Sequence, residues 1–431
     1  MHGRLNSFQK TMLQWNDLHP YSAVHVVQIP GTLEEARLQQ AIQRTLLSRG
    51  LTNLTLDREN SMYRYEGGAA RSDMKLLPEV QEPRPALFAE IEQQLNLAFD
   101  QRAPFNPFRF FVAPASNSFF LGLTYFHPVA DAESVVRLIK DLADTYLEKV
   151  TAVPLPPLDL YPDGASHLLW RHSRVFLGRL LGLPSQIGRM RQSHRPRYRD
   201  AGEQSNGFTF FSLEQEILSG LVAARKSWGV TVNDLLMSLL LKSLSPLASG
   251  RAKERKRRKI SIGCIVNLRR DLSIDPGTFG LFLGSFTVTH VVPKDISLKE
   301  LAKDIGRQTL AIKDKKLYLG TTLELEFARF MLRFFSPERR TKFYPKNYPL
   351  WGGITNMNLN TLWGGSGEDA PMDYFRGVST GPATPLVFSV TTVRDRMNIG
   401  LSYRSTVFSK EIIQELKDRF TDYLEQLKEL V

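Results

Sequence analysis

The chain has very little cysteine and no pattern typical of a metal site. Cys264 is the single cysteine among 431 residues. An internal disulfide and a cysteine-based zinc site are therefore excluded, and a reducing compartment is expected. Apart from His127, no histidine has an acidic or cysteine neighbour at metal-ligand spacing, so we expect no bound metal. A glycine-rich phosphate loop ending in GK[ST] is also missing.

Long hydrophobic runs and a secretory signal are missing as well. The densest apolar run, LLMSLLLKSL at 235–244, contains Lys242 and is too short to span a bilayer. The first 24 residues have no basic region followed by an apolar one, which a secretory signal requires. We therefore expect a cytoplasmic protein.

The composition is that of a globular protein with an excess of positive charge. With 42% hydrophobic and 23% charged residues, the chain can bury a large core in two domains or one two-lobed domain. A net charge of +12 predicts an acidic partner, and the excess is concentrated at 189–199 and 251–259. The second cluster also fits a solvated loop. Neither cluster is interleaved with stacking aromatics, so we expect no nucleic acid partner.

A proline-rich stretch, TAVPLPPLDLYPDG at 151–164, divides the sequence, because neither a helix nor a central strand tolerates that composition. We predict an N-terminal lobe at 1–165, a basic connecting segment at 166–205 and a C-terminal lobe at 206–431. Strand-like and helix-like patterns alternate in both halves, which favours two similar α/β lobes. Ser212 is predicted to cap the helix that follows the first strand of the second half.

The stretch FHPVADAES at 126–134 joins an apolar strand to an amphipathic helix. His127 would emerge at the strand end, where Pro128 stops strand pairing. Asp131 precedes the helix and can cap its first turn. The segment is thus expected to hold an imidazole at a strand end with a carboxylate behind it.

This HxxxD pattern, followed by a small residue, resembles the HHxxxDG motif of the superfamily that contains chloramphenicol acetyltransferase, nonribosomal peptide condensation domains, plant BAHD acyltransferases and wax ester synthases. Phe126 replaces the first histidine of that motif, and Ala132 replaces its glycine. Further segments fit the family in order along nearly the whole chain: AVHVVQIPGTLEEARLQQAIQRTL, TVNDLLMSLL, IGCIVNLRRDL, FGLFLGSFTV, GGITNMNL and MNIGLSYRSTVFSKEIIQELKDRFTDYLEQL. The proline-leucine-tryptophan segment of wax ester synthases is not found.

The resemblance implies two chloramphenicol-acetyltransferase-like lobes with mixed sheets, arranged as a V around a channel. It implies that His127 is the general base of acyl transfer. Asp131 would be structural and pair with Arg269, with Arg270 the less favoured partner. The backbone amide of Ala132 would donate to the oxyanion.

Three further residues match family segments with roles that stay open. Asn233 and Asp234 match the asparagine-aspartate helix start, where capping is favoured over substrate contact. Asn356 matches the serine-asparagine strand; it could polarise an intermediate or simply satisfy a strand end.

Three functions follow from the resemblance. The first is an acyltransferase that moves an acyl group from coenzyme A or an acyl carrier protein to a hydroxyl acceptor, a small molecule or a lipid, to form an ester. The second is a freestanding condensation enzyme that forms an amide between carrier-bound substrates. The third is an inactive module that recruits a carrier protein. The retained His127, Asp131 and Arg269 argue against the third. No cofactor is expected beyond coenzyme A or phosphopantetheine as part of the donor.

The segment 166–199 mixes leucines, Trp170 and Phe176 with many arginines. Such a composition is typical of an interfacial membrane helix, which would place the protein peripherally at the inner face of a membrane. A helix packed on the lobes with its arginines outward fits the same pattern.

Overall fold

The structure, a computed structural model, describes residues 1–69, 74–102, 104–149, 156–160, 171–175, 177–178, 188, 192–200, 202–363 and 371–428. The predicted linker at 151–164 and the basic segment at 166–199 lie largely outside these ranges. No helix within them is long and apolar enough to cross a membrane.

The first half of the chain builds a five-stranded and a three-stranded sheet. The larger sheet has the order β12-β2-β7-β6-β5 and is antiparallel except where β5 runs parallel to β6. Its strands are β2 (Ser22–Pro30), β5 (Met74–Leu76), β6 (Phe108–Ala115), β7 (Ser118–Phe126) and β12 (Tyr374–Val378). The smaller sheet, in the order β1-β4-β3, is antiparallel and consists of β1 (His2–Arg4), β3 (Leu54–Asp57) and β4 (Met62–Tyr65).

Four helices accompany these sheets: α1 (Ser7–Asn16), α2 (Glu35–Ser48), α3 (Pro83–Asn96) and α4 (Ala132–Tyr146). Helix α4 begins where the sequence predicted it, with Asp131 as its N-cap, and buries an apolar face that includes Val135, Leu138 and Leu142. It packs against α2, and burial of such apolar stripes is what stabilises amphipathic helices in proteins.

The second half builds a six-stranded sheet in the order β10-β9-β11-β13-β14-β8. Strand β11 runs parallel to both of its neighbours, and the other pairs are antiparallel, so the predicted mixed α/β fold is confirmed. The strands are β8 (Asn206–Leu213), β9 (Ile260–Asn267), β10 (Leu283–His290), β11 (Leu350–Asn358), β13 (Leu386–Val393) and β14 (Arg396–Arg404).

The apolar helix α6 (Val232–Leu244) of this half is almost entirely buried, as its sequence predicted. Helices α8 and α12 pack directly on it. The helices are α5 (Gln215–Trp228), α6 (Val232–Leu244), α7 (Arg269–Leu272), α8 (Leu298–Asp314), α9 (Thr321–Leu332), α10 (Pro337–Asn347), α11 (Leu359–Leu362) and α12 (Lys410–Glu425).

The predicted cap at Ser212 is wrong. Strand β8 continues through Leu213, which pairs with Met397, so Ser212 is still a strand residue when the chain turns. Its hydroxyl donates to the Oδ1 atom of Asn398, and Glu214 occupies the N-cap position of α5.

Strand β12 crosses from the second half of the chain into the sheet of the first. It pairs with β2 through five residues, from Tyr374 opposite Val27 to Val378 opposite Ala23. It also packs against β14 so closely that a Cβ atom at Gly400 would lie 1.9 Å from the carbonyl oxygen of Arg376. The two halves are therefore joined by a shared strand, and the lobe boundaries at 165 and 206 stay a prediction.

Candidate active site

A cavity of about 210 Å³ lies where the two halves meet. It is lined by α1 and β2, by β9, β10 and β11, and by the crossing strand β12, and most of its wall is apolar. Aromatic and aliphatic side chains dominate the wall; they include Phe8, Met12, Trp15, Tyr21, Tyr125, Leu283, Phe286, Tyr344 and Tyr348. A mostly apolar cavity with a few polar groups is the usual form of a small-molecule site.

His127 lies in this cavity wall, in a 3₁₀ turn of three residues directly after β7. Its ring stacks on that of Tyr21, with centroids 5.4 Å apart and planes at 9°, and meets the edge of Tyr125. Its Nδ1 atom lies 3.1 Å from the carbonyl oxygen of Ala130. A carbonyl oxygen can only accept, so Nδ1 carries the proton and Nε2 is left as the basic nitrogen.

Nε2 of His127 makes no hydrogen bond to any residue that the structure describes. Burial lowers the pKa of the His127 imidazole, and the hydrogen bond to Ala130 and the charge of Asp131 oppose that shift more weakly. The ring is therefore neutral at physiological pH, with an unprotonated nitrogen at the cavity.

Asp131 is buried behind His127 and accepts four hydrogen bonds. Arg269 donates two of them, from Nη1 to Oδ2 at 2.6 Å and from Nη2 to Oδ1 at 3.0 Å. The amides of Ser134 and Phe282 donate the others, at 2.9 and 3.1 Å. The carboxylate is thus saturated by groups from both halves of the chain, which fixes the turn that carries His127.

Arg269 is as buried as its partner and lies over the ring of Phe282 at 4.6 Å. It also donates to the hydroxyl of Ser134, which in turn donates to the carbonyl oxygen of Gly280. Arg270, the less favoured candidate, is exposed. The segment after β9 and the segment before β10 are therefore both held to the start of α4.

Ala132 is the first residue of α4 and lines the cavity. Its φ angle is not positive, so the alanine that replaces the family's glycine fits this backbone without strain. The first amides of a helix lack intrahelical partners and favour negative charge, so this end of α4 suits a developing anion.

The other three predicted residues lie outside the cavity wall. Asp234 closes a capping box with Thr231, as the capping interpretation expects. It also accepts a 2.6 Å hydrogen bond from Thr309. Asn356 is exposed on β11 and donates to Asn233 at 2.7 Å. The position of these side chains gives no support to substrate contact, and the hydrogen bond between the two asparagines fits the interpretation that Asn356 satisfies a strand position.

Among the polar residues of the cavity wall that sequence reasoning missed are the two basic residues His25 and Arg376. They face each other across the β2–β12 pair, and both are buried. A histidine and an arginine inside otherwise apolar strands were the available signals, since such residues are rarely buried without a partner.

Among the described residues no cluster of three or more histidine, cysteine or acidic side chains could hold a metal ion. His194 and His290 instead contact single carboxylates, Glu254 and Asp304. Cys264 lines the cavity, and burial raises the pKa of its thiol to about 12.

Comparison with known proteins identifies the family. A family model described as Condensation domain matches residues 2–430. The fold is similar to that of the EpoB nonribosomal peptide synthetase cyclization-docking bidomain from Sorangium cellulosum, with a TM-score of 0.70 and 14% identity over 99% of this chain and 84% of that one. It is also similar to the first condensation domain of the CDA synthetase, with a TM-score of 0.69 and 15% identity over 99% and 96% of the two chains.

The epimerization domain from the third module of tyrocidine synthetase B has a TM-score of 0.68 and 14% identity, over 100% of this chain and 96% of that one. No curated protein matches the chain. These likenesses confirm the two-lobed fold and the resemblance read from the sequence. The chain belongs to the condensation-domain family.

Proposed function

We propose that this protein transfers an acyl group from a phosphopantetheine thioester to a hydroxyl acceptor, with His127 as the general base. The observation that carries the proposal is the His127 imidazole. Its Nδ1 is fixed by the carbonyl of Ala130, and its ring forms part of a cavity walled by both halves of the chain. A neutral imidazole is suited to accept a proton at physiological pH.

In the proposed step, Nε2 of His127 takes the acceptor's proton as the acceptor oxygen bonds to the thioester carbonyl. The tetrahedral intermediate then collapses, its carbon–sulfur bond breaks, and the imidazolium returns the proton to the departing thiolate. The amide of Ala132 and the N-terminal end of α4 would stabilise the oxyanion, and one such donor is typically worth about 3 kcal/mol.

Asp131 and Arg269 act in this proposal as positioning residues. Their ion pair, which is not part of the cavity wall, holds the start of α4 and the turn at His127 in place. Because the charges neutralise each other, the pair keeps a full negative charge away from the oxyanion.

An amine acceptor, which would give an amide, is the second candidate. The likeness to condensation domains of nonribosomal peptide synthetases favours it, and it would make a carrier protein the donor. The exposed basic residues at 251–259 would contact either coenzyme A phosphates or an acidic carrier protein.

The test is intact-mass detection of acyl transfer. Wild type, His127→Ala and the control His290→Ala are offered acyl-coenzyme A and acyl carrier proteins with mixed alcohols and amines. His290 contacts Asp304 outside the cavity, so its variant should retain activity. Loss of a general base should lower the rate by about 10²- to 10⁴-fold, and the product mass identifies the donor and the bond.

Full activity in His127→Ala would remove it as the base. No turnover in wild type, together with tight binding of a carrier protein, would favour a recruitment module instead.

A further inference from the structure

Arg376 is a buried cation in the wall of the catalytic cavity. It lies in the middle of β12, opposite His25, and is 3% exposed. Both residues line the same cavity as His127. A charged side chain in this position has either a structural partner or a ligand to neutralise it.

The guanidinium of Arg376 uses only part of its hydrogen-bonding capacity within the protein. Nε donates to the hydroxyl of Thr391 at 2.7 Å, and Nη2 donates to the carbonyl oxygens of Val390 and Thr355. Nη1 donates to no residue that the structure describes, and it is not among the fully buried nitrogens that lack a partner. Nη1 is therefore accessible from the cavity.

No carboxylate among the described residues forms an ion pair with Arg376. The groups that raise the pKa of Arg376, against the larger effect of burial, are Tyr374 and Tyr125. Burial lowers the pKa of Arg376 to about 10, which leaves it protonated at neutral pH. Burial is the largest cause of a His25 pKa that lies well below its ordinary value, and the charge of Arg376 is the next, so His25 adds no positive charge.

Burial of an ion is unfavourable unless an opposite charge and hydrogen bonds compensate it. Arg269 meets that condition through Asp131. Arg376 meets half of it: three acceptors hold one side of the guanidinium, but no described ion pair includes it. Glu324 also lines the cavity, but it is not among the groups that shift the pKa of Arg376. The remaining donor lies in an apolar cavity, where hydrogen bonds to ions are strongest.

We propose that Arg376 binds a carboxylate of the substrate. This inference rests on the proposed acyl transfer and deepens it, because it assigns the substrate class: a molecule with an apolar body and one carboxylate. The carboxylate would belong to the acyl chain or to the acceptor, and it would orient that molecule against His127.

The test is calorimetric binding of octanoate and of octanamide, which have the same chain but differ in charge. Wild type should bind octanoate at least about tenfold more tightly, since a hydrogen bond to a charged group is worth about 1.5 to 3 kcal/mol. Arg376→Gln should bring the ratio close to one without weakening octanamide. Arg376→Lys should retain part of the preference.

Arg109→Gln is the matched control. Burial also lowers the pKa of Arg109 to about 10, and Arg109 likewise donates to backbone carbonyls, but it does not line the cavity. Its variant should keep the full preference. Equal binding of both ligands by wild type, no binding of octanoate, or a preference retained in Arg376→Gln would each overturn the proposal.

A second measurement on wild type covers the case in which Arg376→Gln does not fold. Phenylglyoxal modifies accessible guanidinium groups, and octanoate but not octanamide should protect Arg376 from it. Modification of Arg376 that is equal with both ligands would contradict the site.

The transfer assay can then show which substrate carries the carboxylate. Acyl donors with and without a carboxylate are compared first, and then acceptors with and without one. Octanoate binding by His127→Ala separates carboxylate recognition from the proposed acyl transfer. This variant should keep the preference for octanoate although it loses the transfer activity. In wild type, a preference for octanoate without turnover would count against the acyl transfer, and turnover without that preference would count against the site.

Discussion

Two buried arginines connect the halves of this molecule, and they are compensated differently. Arg269 reaches from the second half to Asp131, which neutralises its charge through two hydrogen bonds, while its Nε is buried without a partner. Arg376 lies on the strand that crosses into the first half, and it is held by a hydroxyl and two carbonyl oxygens. The charge of Arg269 is thus compensated within the protein, whereas no ion pair compensates the charge of Arg376 at the cavity.

The difference indicates a division of roles around His127. A neutralised pair can fix a turn rigidly without disturbing the charge that develops during reaction. A cation held on one side only is preorganised for a partner that arrives later. In the proposed mechanism, Asp131 and Arg269 would position the catalytic base, and Arg376 would recognise the substrate.

The largest expected loss of stability follows from breaking the complete pair. Asp131→Ala or Arg269→Ala leaves the other charge buried and unpaired, so the free energy of unfolding should fall by about 3 to 5 kcal/mol. Urea denaturation measures the change. The double variant should lose no more than either single variant, because the pair acts as one unit. Additive losses would show that the two residues stabilise the fold separately.

The crossing strand should be almost as sensitive to added volume. Gly400→Ala places a Cβ atom 1.9 Å from the carbonyl oxygen of Arg376. The backbone of β12 would have to move, which should lower the free energy of unfolding by about 3 kcal/mol, the upper end of the usual overpacking range.

Gly353→Ala is the control for that variant, since the nearest side-chain atom to its Cβ atom would be at an ordinary 3.4 Å. A loss of similar size in both variants would mean that β12 is not the sensitive contact.

Removing Arg376 should destabilise the fold less than removing Arg269. Arg376→Gln leaves no carboxylate unpaired, so only its hydrogen bonds are lost, about 1 to 3 kcal/mol in total. The two arginine variants are compared in the same urea titration. A loss in Arg376→Gln as large as that in Arg269→Ala would show that Arg376 is mainly a structural tie.

The catalytic turn could be predicted from sequence because its signals are local. His127 ends a strand, Asp131 caps the next helix, and four residues separate them. The pairing of Asp131 with Arg269 joins residues 138 positions apart, and no local pattern indicates it. That pairing came from the family resemblance.

The crossing strand and helix α1 were missed for physical reasons. Strand β12 is only five residues long, and its central Arg376 interrupts the apolar pattern. Helix α1 has a mixed polar sequence, and its one clear signal is a capping box between Asn6 and Gln9. Contacts between distant segments bury both elements, which a local periodicity does not report.

The smallest expected effect is in the dependence of stability on pH. Burial lowers the pKa of both His25 and His127 from the ordinary 6.5. Between each lowered pKa and 6.5 the unfolded chain binds more protons than the folded one. The stabilisation is therefore complete above pH 6.5 and is lost as the pH falls below it.

Urea titrations between pH 8 and pH 5 measure this slope in wild type, His25→Gln and the exposed-residue control His2→Gln. His25→Gln should flatten the slope, and His2→Gln should not. His25 faces Tyr374, Tyr125, His127 and Arg376, and the charge of Arg376 contributes to its lowered pKa.

Arg376→Gln should therefore flatten the His25 part of the slope only in part, because burial is the larger cause of that lowered pKa. The His127 part should persist, because burial and its own turn determine that pKa. A steeper slope in Arg376→Gln would contradict a contribution of the Arg376 charge to the lowered pKa of His25, and with it the presence of an uncompensated cation next to His25 in the cavity wall.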